Sequence, residues 1–242
     1  MKHIVLYSGG AGSAMAAYLV AQQVPKEDII LLFHDVRGGH DDDMYRFNDD
    51  VSNFLGIPLT EYSDDRTIWE VIKENKALPG IWMPYCTRIL KLEMGDKFYN
   101  QLPYFAYHQD NPDAEDLALY PDVAFTLYAG FCKGEEKRVE KAKYPTEYPV
   151  FDAGLTSDDC KRIIREEWGI ELPKPYLLGF EHNNCIPCWK SGSKDYWKLV
   201  WKHYPERYQM AIEMEEYTGH THFKGISLTE LARKWSEPGR EG

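Results

Sequence analysis

Six residues near the start, Ser8-Gly9-Gly10-Ala11-Gly12-Ser13, constrain the fold most. They follow an apolar run from Lys2 to Tyr7 and precede good helix formers from Ala14 to Gln23, stopped before Pro25. Strand, Gly-rich loop and helix in that order make a cradle for phosphate. Glycines let backbone N–H groups turn inward, the helix N-terminus adds partial positive charge, and Ser8 and Ser13 offer hydroxyl donors. The plainer alternative is a strand-to-helix turn that is merely tight, but three glycines and two serines exceed what a turn requires. The loop is not a Walker sequence, since no Gly-Lys-Ser/Thr follows, and it is not a Gly-x-Gly-x-x-Gly turn.

The pattern continues with an apolar strand at Ile29 to His34, a helix at Met44 to Leu55, and a strand at Ile57 to Thr60 after Gly56. Strands alternating with helices predict an α/β fold: a doubly wound, mainly parallel, Rossmann-like sheet. Further helices are expected at Thr67 to Asn75 and from Cys86 to Tyr99. An insertion or lid is expected at Pro103 to Pro121, and a strand at Val123 to Gly130. A helix opening at Thr156 stops before Gly169, and three more occupy Asp195 to His203, Pro205 to Tyr217 and Ser227 to Trp235. The expected organisation is a nucleotide-binding domain over 1–170 and a helical C-terminal region over 171–242. The 43% hydrophobic content is enough for one large globular domain or one domain with a small appendage.

These residues together resemble a known family. Ser-Gly-Gly-x-x-Ser after the first strand resembles the PP-loop of the adenine nucleotide alpha-hydrolase superfamily, of the HUP fold type. The rest is most similar to the phosphoadenosine phosphosulfate (PAPS) reductase-like branch. Phe33-His34-Asp35, Phe54-Leu55-Gly56-Ile57-Pro58, Cys86-Thr87-Arg88-Ile89-Leu90-Lys91, Tyr148-Pro149-Val150-Phe151-Asp152 and the segment Gly179 to Cys188 carry the likeness. It extends over roughly residues 1 to 217.

The resemblance implies binding of ATP or a related adenine nucleotide at Ser8, Gly9, Gly10, Gly12 and Ser13, with Asp35 and Arg37 beside it and Mg²⁺ assisting. It implies cleavage between the α and β phosphates, with Ser13, Lys91, Lys133 and Arg138 as catalytic candidates. Many ATP-using relatives carry Lys-Asp where this chain has Ala11-Gly12, and the family's Gly-x-Arg-x-x-Glu-Ser segment stands here as Gly130 to Glu136, followed by Lys137 and Arg138. The leading expectation is an adenylating enzyme that releases pyrophosphate for sulfur transfer. A sulfonucleotide reductase with altered thiols is the alternative, although no cysteine follows Cys188. A nucleotide-binding regulatory protein with weakened catalysis is the third reading.

Five cysteines, two of them in Cys185-Ile186-Pro187-Cys188, point to metal binding or redox chemistry rather than a disulfide framework. With Cys86, which sits at a family position converging on such a pair, three thiolates suit a [4Fe-4S] cluster with one open iron. Zn²⁺ completed by His182 or Cys132 competes, as does a reduced pair with no metal. Cys160 reads as core.

Lys+Arg of 28 against Asp+Glu of 39 gives a net charge of -11, so nucleic-acid contact requires a local basic patch. The block from Trp189 to Tyr204 is basic and aromatic, but Trp197, Val200, Trp201 and Tyr204 recur at helical spacing, so packing accounts for most of the aromatics. Its lysines stay available for substrate phosphate. Gly38-Gly39-His40-Asp41-Asp42-Asp43 reads as the lead into a helix, with acids balancing its dipole, ahead of a Mg²⁺ site. Expected partners are the nucleotide, a nucleic-acid or nucleotide acceptor and a sulfur-donor protein, with no membrane. No apolar run approaches a spanning length, and a cytoplasmic location is expected. The sequence leaves the oligomeric state open.

Overall fold

Beginning at Lys2, the buried run Ile4 and Val5 enters the middle of a five-stranded sheet of order β3-β2-β1-β4-β5, every pairing parallel. The computed structural model describes residues 1–102, 125–140 and 146–237. In chain order these are β1 (Lys2–Tyr7), α1 (Ala11–Ala21), β2 (Ile29–Phe33), α2 (Asp43–Leu55), β3 (Leu59–Glu61), α3 (Ile68–Asn75), α4 (Glu93–Tyr99), β4 (Phe125–Ala129), β5 (Thr146–Glu147), α5 (Ser157–Glu166), α6 (Lys194–His203), α7 (Pro205–Thr218) and α8 (Leu228–Ser236). The expected doubly wound, parallel α/β architecture is what the chain adopts.

Two compact units interleave in sequence. The first takes Met1–Asp35, Asp42–Ser63 and Glu93–Lys174, and holds the sheet. The central strands β1 and β2 carry continuous apolar runs, as strands covered on both faces do, whereas the edge strands β3 and β5 are short and polar. Ile4, Leu32 and Leu127 of three adjacent strands pack with Tyr99 of α4 on one face. Helix α1 lies against β1, with α5 packed on α1. Tyr18, Phe54 and Trp168 close the outside of α1 and α2, the last two stacked with centroids 4.8 Å apart. Gly56 stops α2 at φ 66°, and Thr156 opens α5 with a capping box to Asp159.

The second unit takes Val36–Asp41, Asp64–Leu92 and Pro175–Gly242. Its core is aromatic: Trp189 and Trp197 are both fully buried, edge-to-face at 5.4 Å, and Trp69, Tyr204 and Tyr208 join them. Capping boxes at Thr67 and Ser227 start α3 and α8, and Ser193 caps α6. The buried carboxylate of Glu215 accepts the N–H groups of His222 (2.7 Å) and Leu228 (2.8 Å), pinning the turn between α7 and α8.

Several boundaries differ from the expectations. Helix α1 starts at Ala11, so half of the Gly-rich segment is the helix's first turn rather than loop. The helix expected from Cys86 to Tyr99 is broken into a short turn Tyr85–Thr87, a π turn Arg88–Leu92 and α4. Apolar spacing alone does not distinguish four-residue from five-residue hydrogen bonding. Strand β3 starts at Leu59 because Gly56 and Ile57 still donate to Ser52 O. Single turns at Glu136–Val139 and Pro149–Asp152, and the two-residue β5, left no periodic signal. The insertion expected at 103–121 lies outside the described residues, as do 123 and 124 of the expected fourth strand. Among the described residues no helix is long and apolar enough to cross a membrane.

Candidate nucleotide cradle and cysteine cluster

In the first unit, Ser13 organises the loop. Its Oγ accepts from the Ser8 N–H (3.1 Å) and the Ser8 hydroxyl (3.2 Å) and donates to Gly10 O (2.9 Å). The N-cap, Gly10, supplies no side-chain cap, and the first turn of α1 carries no acid. The partial positive charge of this eleven-residue helix is therefore uncompensated by its own side chains. That suits an anion.

The glycines have separate causes. Gly9 has φ +74°, and a Cβ there would stand 2.6 Å from Met44 Sδ, so both backbone and space demand glycine. A Cβ on Gly12 would stand 2.4 Å from the carbonyl oxygen of Gly130, and a Cβ on Gly130 would stand 2.4 Å from Gly12 C and O. Two backbones touch here. Gly12 is thus fixed by the approach of α1 to the exit of β4. Beside the loop, Asn48 is buried at 2% exposure with neither side-chain atom hydrogen bonded.

Asp35 follows the carboxyl end of β2, nearly buried, and accepts from the Tyr45 hydroxyl at 2.9 Å while its N–H donates to Ser63 Oγ at 2.7 Å. Burial, then the bond to Asp35, pushes the Tyr45 phenol up, so it stays a donor. After β4, Glu135 accepts from the Cys132 N–H (2.8 Å) and pairs with Arg138, whose guanidinium lies 4.1 Å over Phe131. Lys133 is exposed on this turn. Cys132 and Cys160 hydrogen bond to each other, which lowers the Cys132 thiol and raises that of Cys160.

The second unit gathers the other cysteines. Cys86, Cys185 and Cys188 lie within electrostatic range of one another. The Cys-x-x-Cys turn is held by Tyr196, whose hydroxyl donates to Cys185 O (3.0 Å) and accepts the Cys188 N–H (2.5 Å). Ile186 N–H donates to Gly39 O at 2.7 Å, and the Arg207 guanidinium reaches Gly39 O (2.9 Å), Ile186 O (3.1 Å) and His40 O. These bonds fasten the Gly38-Gly39-His40 loop to the Cys turn. Burial raises the Cys185 thiol, but the hydrogen bond and charge of His40, with Lys91 and Lys190, outweigh it and leave the thiol lowered to about 7. Burial, then the neighbouring thiols, pushes Cys86 up; burial, then Cys185, does the same to Cys188. One thiol of the three is poised to ionise.

The structure thus brings Ser8, Gly9, Gly10, Gly12 and Ser13 together, and brings Cys86, Cys185 and Cys188 together with Lys91. Arg37 lies in the second unit and pairs with Asp65 at 3.4 Å. His182 is exposed and faces Glu181 at 3.8 Å, so the imidazole on the cluster is His40. No local pattern marks His40 or Arg207 for this role, because Cys185 lies far from His40 in sequence, and of Arg207's partners Gly39 and His40 lie far away and even Ile186 is beyond any local motif. The acid-rich run after His40 suggested only a helix start. As a metal site the donors do not fit as they stand: among the described residues no group of three or more His, Cys, Asp and Glu is arranged to hold an ion.

Residues 2–108 match the family model described as Phosphoadenosine phosphosulfate reductase domain. No curated protein matches the chain.

Proposed function

We propose, from the membership of residues 2–108 in a domain of the PP-loop / adenine nucleotide alpha-hydrolase superfamily, that the chain is an adenylating enzyme serving sulfur transfer. The observation that carries the reading is the uncapped, acid-free N-terminus of α1 behind Ser8 and Ser13. A substrate oxygen attacks the α-phosphorus of ATP, the α–β phosphoanhydride bond breaks and pyrophosphate leaves. A sulfur nucleophile from a donor protein then displaces AMP. The cradle's N–H groups and hydroxyls stabilise charge on the departing pyrophosphate. Ser13 sets the loop, Asp35 holds the ribose or the cation, and Lys133 and Arg138 supply cationic charge after β4. Mg²⁺, when bound with ATP, shields the phosphate oxygens.

Lys91 and Arg37 are assigned to the second unit, where Lys91 favours the Cys185 thiolate. The Cys86, Cys185 and Cys188 cluster is proposed as a sulfur-handling centre, and no step is routed through iron or zinc. A sulfonucleotide reductase is the second reading, favoured by the hydrogen-bonded Cys132 and Cys160 thiols, the Cys132 sulfur lying 3.2 Å from where a Gly12 Cβ would stand. Calorimetric titration with ATP, followed by assays of pyrophosphate release with ATP and sulfite release with PAPS, tests both. Pyrophosphate supports adenylation, sulfite supports reduction, and binding without either leaves a regulatory protein. No binding sinks all three. Anaerobic purification with iron and zinc analysis checks the cluster.

A further inference from the structure

The second unit exposes Ile81, Trp82 and Met83 in succession, Trp82 at 98%. An indole left wholly in water forgoes the burial that Trp69, Trp189 and Trp197 have in the same unit. These residues line an open groove of about 320 Å³, whose wall also includes Trp189, Lys190 and His220. The described lining residues include no Asp or Glu. In a chain of net charge -11 that absence is informative. The Trp189 indole N–H, buried in the wall, has no hydrogen-bond partner, although buried tryptophans ordinarily find one. From Lys190 and Gly192 the chain runs directly into α6, where Lys194, Lys198 and Lys202 stand exposed at i, i+4 and i+8. One face of that helix is therefore a basic track about 12 Å long.

We infer that this groove and the α6 lysines bind single-stranded nucleic acid, a base stacking on Trp82 while the phosphodiester chain follows the lysine track. A stacking platform beside a row of cations is what a flexible polyanion with planar bases requires. Trp197 and Trp201, which pack inward or partly inward, take no part. The inference names the acceptor class for the proposed adenylation and rests on that reading for its purpose, though not for its geometry.

The test is fluorescence anisotropy with labelled single-stranded 12-mers of DNA and RNA, using the full chain at about 50 mM salt. The expected results are saturable binding and a loss of roughly 10-fold on Trp82→Ala. Lys194→Ala, Lys198→Ala and Lys202→Ala combined should flatten the log-log salt slope by about 2. An abasic 12-mer of equal charge should bind more weakly than the base-bearing one. Equal binding of abasic and base-bearing strands, or indifference to Trp82→Ala, overturns the inference, as does an acidic peptide that competes on equal terms and so claims the groove for a protein. Thermal shift with ATP is measured on every variant. A retained ATP shift without oligonucleotide binding sinks the groove alone, and oligonucleotide binding without an ATP shift sinks the nucleotide reading alone.

Discussion

The two interleaved units differ sharply in charge and composition. The first holds 13 Lys+Arg against 25 Asp+Glu, the second 15 against 14, and six of the seven tryptophans fall in the second. An acidic unit repels anions at range, so it can hold a nucleotide only by local means: backbone N–H groups, hydroxyls and one uncompensated helix end. The near-neutral unit carries no such general barrier. On the proposed reading, phosphate recognition by shape and phosphate recognition by charge would fall to different regions of one chain.

The largest effect should come from the backbone contact in the acidic unit. Gly130→Ala forces a Cβ to 2.4 Å from Gly12 backbone atoms, and about 3 kcal/mol of stability should be lost together with ATP binding. Urea unfolding followed by tryptophan fluorescence reports mainly on the other unit. A fluorescence transition that stays put while the ATP shift vanishes would show the two regions unfolding separately, whereas a joint shift would show one cooperative molecule.

The second prediction concerns the thiol in the near-neutral unit. With His40→Ala, burial of Cys185 is no longer outweighed, so its pKa rises from about 7 toward or above the ordinary thiol value. The thiolate fraction at pH 7 should drop roughly 10-fold, and the midpoint of Cys185 alkylation, read by peptide mass spectrometry across pH 6 to 9 (roughly the span bracketing those values), should move upward. An unmoved midpoint would remove the Cys-His pair from the account.

Ser13→Ala leaves Ser8 without the oxygen that receives its N–H and hydroxyl, and ATP affinity should weaken about 5- to 10-fold by calorimetry. An unchanged affinity would reduce the loop to a turn. The smallest effects are a matched pair, Thr156→Ala in the first unit and Thr67→Ala in the second. Each removes a capping box and should cost about 1 kcal/mol in urea unfolding. Unequal costs would show which unit limits the global stability.

What the sequence disclosed follows the range of the interactions. Lys2–Tyr7, the helices around Met44 and Thr156, and the capping box at Ser227 were legible because period, cap and stop signals lie within a few residues. The loop was legible as a Gly-rich strand-to-helix connection, but the reason for Gly12 was not, since Gly130 is 118 positions away. The same holds for His40, which meets Cys185 only in the fold, and for Arg207, which ties both segments. The insertion of one residue per turn at Arg88–Leu92 escaped because Ile89, Leu90 and Leu92 satisfy either helical period.

The Gly12–Gly130 contact also limits how this loop can change. What blocks a larger residue at 12 is the carbonyl of Gly130, so no exchange of side chains at 130 opens the space. A charged residue at 12 would first require the peptide leaving β4 to withdraw, through an altered length or course of that connection. Any residue with a side chain at 12 therefore waits on a backbone rearrangement there before it can contribute anything of its own.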